Sequence, residues 1–231
     1  MDNMTNDKIN VLDYGSVKLL NHTNNGDLLV VNAARCSFDK EHKEFDYEKD
    51  TKLINYLARE KHVLPFRHPV ATLRIDCPIF VLRQLGKHQV GFSWSEVSRR
   101  YVKGMPWYHT PDQDQFRRAA DNVKQGSSDQ PLPEDIADDL WNEMDELYGL
   151  ADYLYNKMLD EGLCPEQARM VLPQSMFTTT VVTGTLLGWH HLWKLRTEAH
   201  TQLETRQYAH AIGGIMQEIF PESWTALCEH S

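Results

Sequence analysis

Between Ile136 and Met158 the apolar residues Ile136, Leu140, Met144, Leu147, Ala151, Leu154 and Met158 recur at spacings of 4, 4, 3, 4, 3 and 4. A period near 3.6 residues, kept up for about six turns, specifies a long amphipathic helix, because that backbone alone gathers such positions into one stripe. Gly162 suits its end, since glycine takes the left-handed conformation that closes helices. A stripe that long must be covered, so the rest of the chain has to supply a broad apolar surface.

Part of that surface is a strand. In Val70–Cys77, residues Ala71, Leu73, Ile75 and Cys77 alternate with Val70, Thr72, Arg74 and Asp76, the pattern of a half-buried strand. Pro78 then fits the first turn of a helix running through Phe80, Val81, Leu82 and Gln84 to about His88. On it Gln84 and His88 share one face and Arg83 and Lys87 another, each pair four apart. Gly91 breaks this helix and begins a loop.

Elsewhere, Asn24-Asn25-Gly26 signals a turn, and Leu28-Leu29-Val30-Val31 after it reads as a short buried strand. Asp39 to Asp50 reads as a solvated charged segment, and Thr51 to Glu60 as a helix. The polar run from Thr110 to Pro133 (about 110–133) reads as a surface excursion with a short helix around Gln115 to Val123. Pro165 starts a short helix carrying Arg169 that Pro173 stops. Met176 to Thr183 reads as a strand, followed by helices up to Arg196 and from Thr201 to Phe220. Without a repeat or a linker, residues 1–231 are expected to form one α+β domain.

The formal charge of -9 opposes binding to nucleic acid or to a membrane surface. Against that background the stretch RQLGKHQVGFSWSEVSRRYV is unusual, for it gathers Arg83, Lys87, His88, Arg99 and Arg100 with Ser95, Ser98 and one carboxylate, Glu96. Lys and Arg give charge-assisted donors to phosphate, and Ser hydroxyls and loop amides add more. The pattern suits a nucleotide or a phosphorylated cofactor, although a solvated basic loop explains it equally well at this level. None of the four cysteines forms a C-x-x-C pair, which argues against a cysteine-built zinc site. The first residues have no apolar run or basic leader, and no stretch approaches the ~20 apolar residues of a membrane span. A cytoplasmic protein with free thiols is expected.

Several segments together resemble the flavin-dependent thymidylate synthases (the ThyX family). Lys87-His88-Gln89, eight residues, then Ser98 is similar to that family's R-H-R signature, with Lys87 and Gln89 in place of the arginines. Ala34-Arg35-Cys36-Ser37-Phe38, His62 to His68, Ala168 to Pro173, and Leu195-Arg196 with His200 and Gln202 resemble further family segments in the family's order. Thr185 stands where members often carry Asn.

The resemblance implies a mostly antiparallel sheet flanked by helices. It also implies conversion of dUMP to dTMP with methylenetetrahydrofolate as carbon donor, reduced FAD as hydride source and NADPH as its reductant. Gln84, Lys87, Glu96, Ser98, Arg99, Arg100 and Arg169 are expected to bind dUMP. Arg196 is expected to bind it too and to polarise the uracil as the catalytic residue. His62, Lys87, His88, Gln89, Glu96 and His191 are expected at the FAD, and no metal is expected. Sites shared between the subunits of a homotetramer would follow. Two rival readings are a flavin-dependent hydroxymethylase acting on dUMP or dCMP, and a non-catalytic nucleotide- or flavin-binding homologue. Each residue also has a plainer role open to it: His62 and His68 could cap the turn at Pro65, Arg196 could neutralise Glu198, and of His190 and His191 one could simply be buried.

Overall fold

The computed structural model describes residues 8–102, 104, 106–120 and 127–231. Strands β1 (Lys8–Val11), β2 (Gly15–His22), β3 (Val70–Pro78), β4 (Phe92–Glu96) and β7 (Phe177–Thr185) form one sheet in the order β1-β2-β3-β7-β4. Every pairing in it is antiparallel. A separate small hairpin joins β5 (Arg117–Ala119) to β6 (Ser127–Pro131). The helices are α1 (Gly26–Arg35), α2 (Tyr47–Arg59), α3 (Ile79–Leu85), α4 (Glu134–Asp160), α5 (Pro165–Ala168), α6 (Leu186–Arg196), α7 (Leu203–Ile219) and α8 (Pro221–Glu229). The α+β class expected from the sequence is the observed one.

The alternation in β3 is realised, with Ala71, Leu73, Ile75 and Cys77 all fully buried. They meet Val17 of β2, Val182 of β7 and the inner faces of α1, α2, α3, α6, α7 and α8 in one apolar cluster. The other face of β3 is polar: Thr72 and Thr183 hydroxyls lie 2.9 Å apart, and Asp76 accepts from Ser16 and Thr179. Trp189 ties α6 to the sheet, donating its ring N–H to the Ala71 carbonyl at 3.2 Å and meeting Phe92 edge-on.

Several expectations are overturned. Leu28–Val31 is not a strand but part of α1. Four apolar residues fit either element; the Ala33-Ala34-Arg35 continuation and Asp27 in the first turn favour the helix. The segment up to Asp50 is not wholly solvated. α2 begins at Tyr47, capped by the Asp46 carboxylate, and Asp50 is fully buried against Arg35 at 2.6 Å. The helix after Pro78 ends at Leu85, short of His88. The expected loop at Ser95 and Glu96 is strand β4, in which Phe92 and Trp94 turn toward the core while Ser93 and Ser95 stay exposed. The excursion holds a 3-10 turn at Gln113–Gln115 and strand β5 where a helix was expected; the end of that expected helix, from Asp121 to Val123, lies outside the described residues.

The long helix exists, but its inward face is only partly the expected one. α4 buries Ala137, Tyr148, Ala151 and Tyr155, whereas Ile136, Leu140 and Leu147 of the expected stripe are exposed. The helix carries two apolar stripes, and periodicity does not say which one its own chain covers. Leu147 is 55% and Leu150 61% exposed, so an apolar ridge faces outward.

Candidate active site

α3 is the axis of the site. Its N-terminal amides are taken up by the Pro173–Met176 segment: Ile79 N–H donates to the Met176 carbonyl at 2.9 Å and Phe80 N–H to Gln174 at 3.1 Å. Val81, Leu82 and Leu85 are buried, which fixes the rotation of the helix and turns Arg83 to one side and Gln84 to the other. Gly91 then needs its positive φ of 81° to bring the chain into β4, and a Cβ there would stand 2.7 Å from Thr185 Oγ1. Thr185 itself caps α6 by accepting from Gly188 N–H at 3.1 Å, a cap that a short hydroxyl side chain fills well.

On one side of α3 lies Arg196, at the last turn of α6. Its Nη2 donates to the Gln84 carbonyl at 3.0 Å, while its Nε is buried and unpartnered. The Gln84 side chain donates to Gln202 Oε1 at 2.6 Å. Gln84, Arg196, Gln202, His200, Glu198 and Arg117 line one cavity of about 620 Å³. Burial lowers the Arg196 pKa, with Glu198 opposing the shift. Its guanidinium remains charged at any working pH.

His88 stands next to this group. Burial, then the charges of Arg196 and His191, push its pKa down to about 4. Burial, with Arg67 and Lys194, lowers that of His191 too. Both rings are therefore neutral at pH 7, and His88 Nε2 is buried with no partner among the described residues. The His88 carbonyl accepts from the Trp94 ring N–H at 3.0 Å, which holds the segment against β4.

On the other side of α3, Lys87, Gln89 and Glu96 line a second cavity of about 450 Å³ with Arg83, Trp94 and Thr180. Gln89 is folded back, donating to the Gly86 carbonyl at 2.5 Å. Glu96 accepts from the Thr178 hydroxyl at 3.0 Å.

Ser98, Arg99 and Arg100 form a third group. Ser98 Oγ accepts from Arg100 N–H, Arg99 donates to the Gly104 carbonyl at 2.6 Å, and Arg100 pairs with Glu166 at 3.5 Å. That pairing brings them beside the turn that carries Arg169, which is exposed. His62 is exposed at the end of α2, edge-on to Tyr56, and shares neither cavity around α3. One chain thus joins Gln84, His88, His191 and Arg196, and separately Lys87, Gln89 and Glu96. Ser98, Arg99, Arg100 and Arg169 line neither of these cavities.

His190 is the buried member of the histidine pair, packed against Trp193 and Trp224. Cys77 is buried and its thiol pKa is raised by desolvation, the opposite of an activated nucleophile. Sequence reasoning gave no role to Gln202, although it lies in one of the resembling segments, nor to Arg117, which nothing in the polar excursion singled out. Arg117 pairs with Glu204 at 2.8 Å on the cavity that holds Arg196.

Residues 18–222 match the family model described as thymidylate synthase complementing protein. The flavin-dependent thymidylate synthase of Thermotoga neapolitana is 34% identical over 97% of this chain and 95% of its own length. That of Thermus thermophilus is 36% identical over 96% of this chain and 78% of its own. Among solved structures, the UMP/dUMP methylase PolB from Streptomyces cacaoi, bound with 5-Br dUMP, superposes with a TM-score of 0.83 at 27% identity, covering 96% of this chain and 97% of that one. A match over nearly the whole chain, in sequence and in fold alike, makes this protein a member of the flavin-dependent thymidylate synthase family.

Proposed function

We propose that the protein methylates dUMP to dTMP, with methylenetetrahydrofolate as carbon donor and NADPH as the source of reducing equivalents. The observation that carries the reading is the joining of Arg196 to Gln84 beside the neutral His88 and His191, within a chain that belongs to this family. The names of its relatives, synthases and a methylase, favour methyl transfer over hydroxymethyl transfer.

The donor set fits a flavin nucleotide. His88 offers a buried, unpartnered Nε2 and His191 a neutral ring, both suited to the carbonyls and ring nitrogens of an isoalloxazine. Lys87 and Gln89 would hold its phosphates and polar edge. When bound and reduced, the flavin supplies the hydride. Arg196 binds the uracil carbonyl edge and stabilises the negative charge that builds on the ring as C5 becomes nucleophilic. Gln84 orients Arg196 through its carbonyl. Ser98, Arg99, Arg100 and Arg169 receive the dUMP phosphate, Glu96 faces its sugar, and His62 borders the flavin and folate region.

These groups do not meet within one chain, and the α4 ridge leaves apolar residues uncovered. A homotetramer with sites shared between subunits accounts for both. The test is single-turnover formation of dTMP from dUMP with methylenetetrahydrofolate and reduced FAD, with UMP and dCMP run beside it. A 5-hydroxymethyl nucleotide as product, or no flavin bound at equilibrium, would overturn the reading.

A further inference from the structure

The cavity on the outer side of α3 holds more positive charge than the family signature accounts for. Arg83 is exposed on α3, and Lys87 is exposed in the turn that follows it, where its N–H donates to the Gln84 carbonyl at 3.4 Å. Both line the same cavity, over the apolar floor of Ile79, Leu82 and Trp94. Among the described residues neither makes an ion pair. That is notable in a chain with 33 acidic residues against 24 basic ones, where a free carboxylate is seldom far away. Glu96, the carboxylate on this wall, is held by the Thr178 hydroxyl. Gln89, on the same wall, carries no charge and has its amide N–H turned onto the Gly86 carbonyl.

An arginine fork beside a lysine point charge, with neither neutralised, is the arrangement that receives a phosphate group: the fork fixes two oxygens and the ammonium adds charge. We propose that Arg83 is a phosphate-binding residue that acts with Lys87 and supplies the second cation that position 89 lacks in this chain. The ligand is a phosphate ester, either the monophosphate of the pyrimidine substrate or the pyrophosphate of the flavin nucleotide. The inference rests on the reading given under Proposed function.

The test compares the parent protein, Arg83→Gln, Arg83→Lys and the double change Arg83→Gln with Gln89→Arg. Each is titrated with dUMP, FAD and riboflavin, and each is unfolded thermally. Loss of one charge-assisted bond to phosphate predicts about a tenfold to hundredfold weaker affinity in Arg83→Gln. Arg83→Lys should recover part of this, and the double change most of it, at an unchanged unfolding midpoint. Weakening for dUMP places the cation pair at the substrate phosphate. Weakening for FAD but not riboflavin places it at the flavin pyrophosphate. If Arg83→Gln binds both phosphate ligands like the parent, the proposal fails while the synthase reading stands. A loss that falls equally on riboflavin, or that comes with a lower unfolding midpoint and no recovery in Arg83→Lys, is a folding effect and also overturns it. If the parent itself binds neither dUMP nor FAD, the synthase reading fails and takes this inference with it.

Discussion

The two sides of α3 differ in how they hold charge. On the inner side Arg196 is half-buried, bonded to a backbone carbonyl, and close enough to His88 to help keep it neutral. On the outer side Arg83 and Lys87 are open to solvent and make no ion pair among the described residues. A fixed, desolvated guanidinium is suited to charge that appears during a reaction, because it needs no reorganisation at that moment. Exposed cations are suited to attracting and holding a charge that is already there. On the function proposed above, the difference would separate a chemical side from a binding side, around a helix of seven residues.

The largest effect should come from removing the second chain. If the two sides belong to sites completed by another subunit, a charge on the outward ridge of α4 should abolish activity with every site residue intact. Leu147→Asp, at a position 55% exposed in the single chain, should lower the assembly mass from four chains and lose dTMP formation together. Light scattering and turnover measured on the same sample decide it. A fully active monomer would break the comparison at its root, since both sides would then work within one chain.

Next in size is Arg196→Ala. Loss of one preorganised donor costs on the order of a hundredfold to a thousandfold in rate. dUMP binding should change much less, because the contact strengthens only as charge develops. Arg196→Lys keeps the charge without the planar fork and should recover little. Parent-like single-turnover rates in Arg196→Ala would remove the chemical side.

Arg100→Ala tests the opposite behaviour. A charge-assisted bond to phosphate is worth roughly 1.5–3 kcal/mol, or about a tenfold to hundredfold loss of dUMP affinity. Turnover at saturating dUMP should stay near the parent. The exposed pair with Glu166 adds little to stability, so the fold should be unaffected. A fall in turnover with unchanged affinity would place Arg100 on the chemical side instead.

Much of this arrangement was legible in the sequence, for reasons that can be named. β3 was, because only one face of it is buried and the alternation is therefore strict. The start of α3 was, because Pro78 marks it. β4 was not: its apolar residues, Phe92 and Trp94, follow a glycine that reads as a loop, and its pairing with β7 is long-range. α4 was legible as a helix and only partly in rotation, since Tyr148 and Tyr155 make a second stripe beside the leucines. At the candidate site, the residues proposed here come from the resembling segments. What the sequence does not show is which of them meet. Arg196 and Gln84 are joined across 112 positions by a packing that local pattern does not encode. Arg83 and Lys87 were expected to share a helix face, but the helix stops at Leu85, and they meet instead at a cavity that β4 completes.

The smallest effect concerns the histidines, and it separates the site from the core. His190 is almost fully buried, and burial, followed by the charges of His191, Lys194 and Lys61, pushes its pKa down to about 4. His88 is pushed to a similar value at the site. An unfolded histidine titrates near 6.5. Between about pH 6.5 and 4 the unfolded chain therefore takes up protons that the folded chain refuses, and stability falls as pH falls through that window. Above pH 6.5 both states are neutral at these rings and the contribution is flat. Below about pH 4 the folded rings protonate as well and the fall levels off. His190→Phe removes one such group from the core, where Trp193 and Trp224 already provide an aromatic setting. Urea unfolding at several pH values should show a slope reduced by at most about 1.4 kcal/mol per pH unit relative to the parent. His88→Phe should flatten the slope too, and in addition weaken flavin binding, which His190→Phe should leave alone. Parallel pH profiles for the parent and His190→Phe would mean that His190 takes up its proton as readily in the folded core as in the unfolded chain. The neutral-ring account of both histidines would then fail.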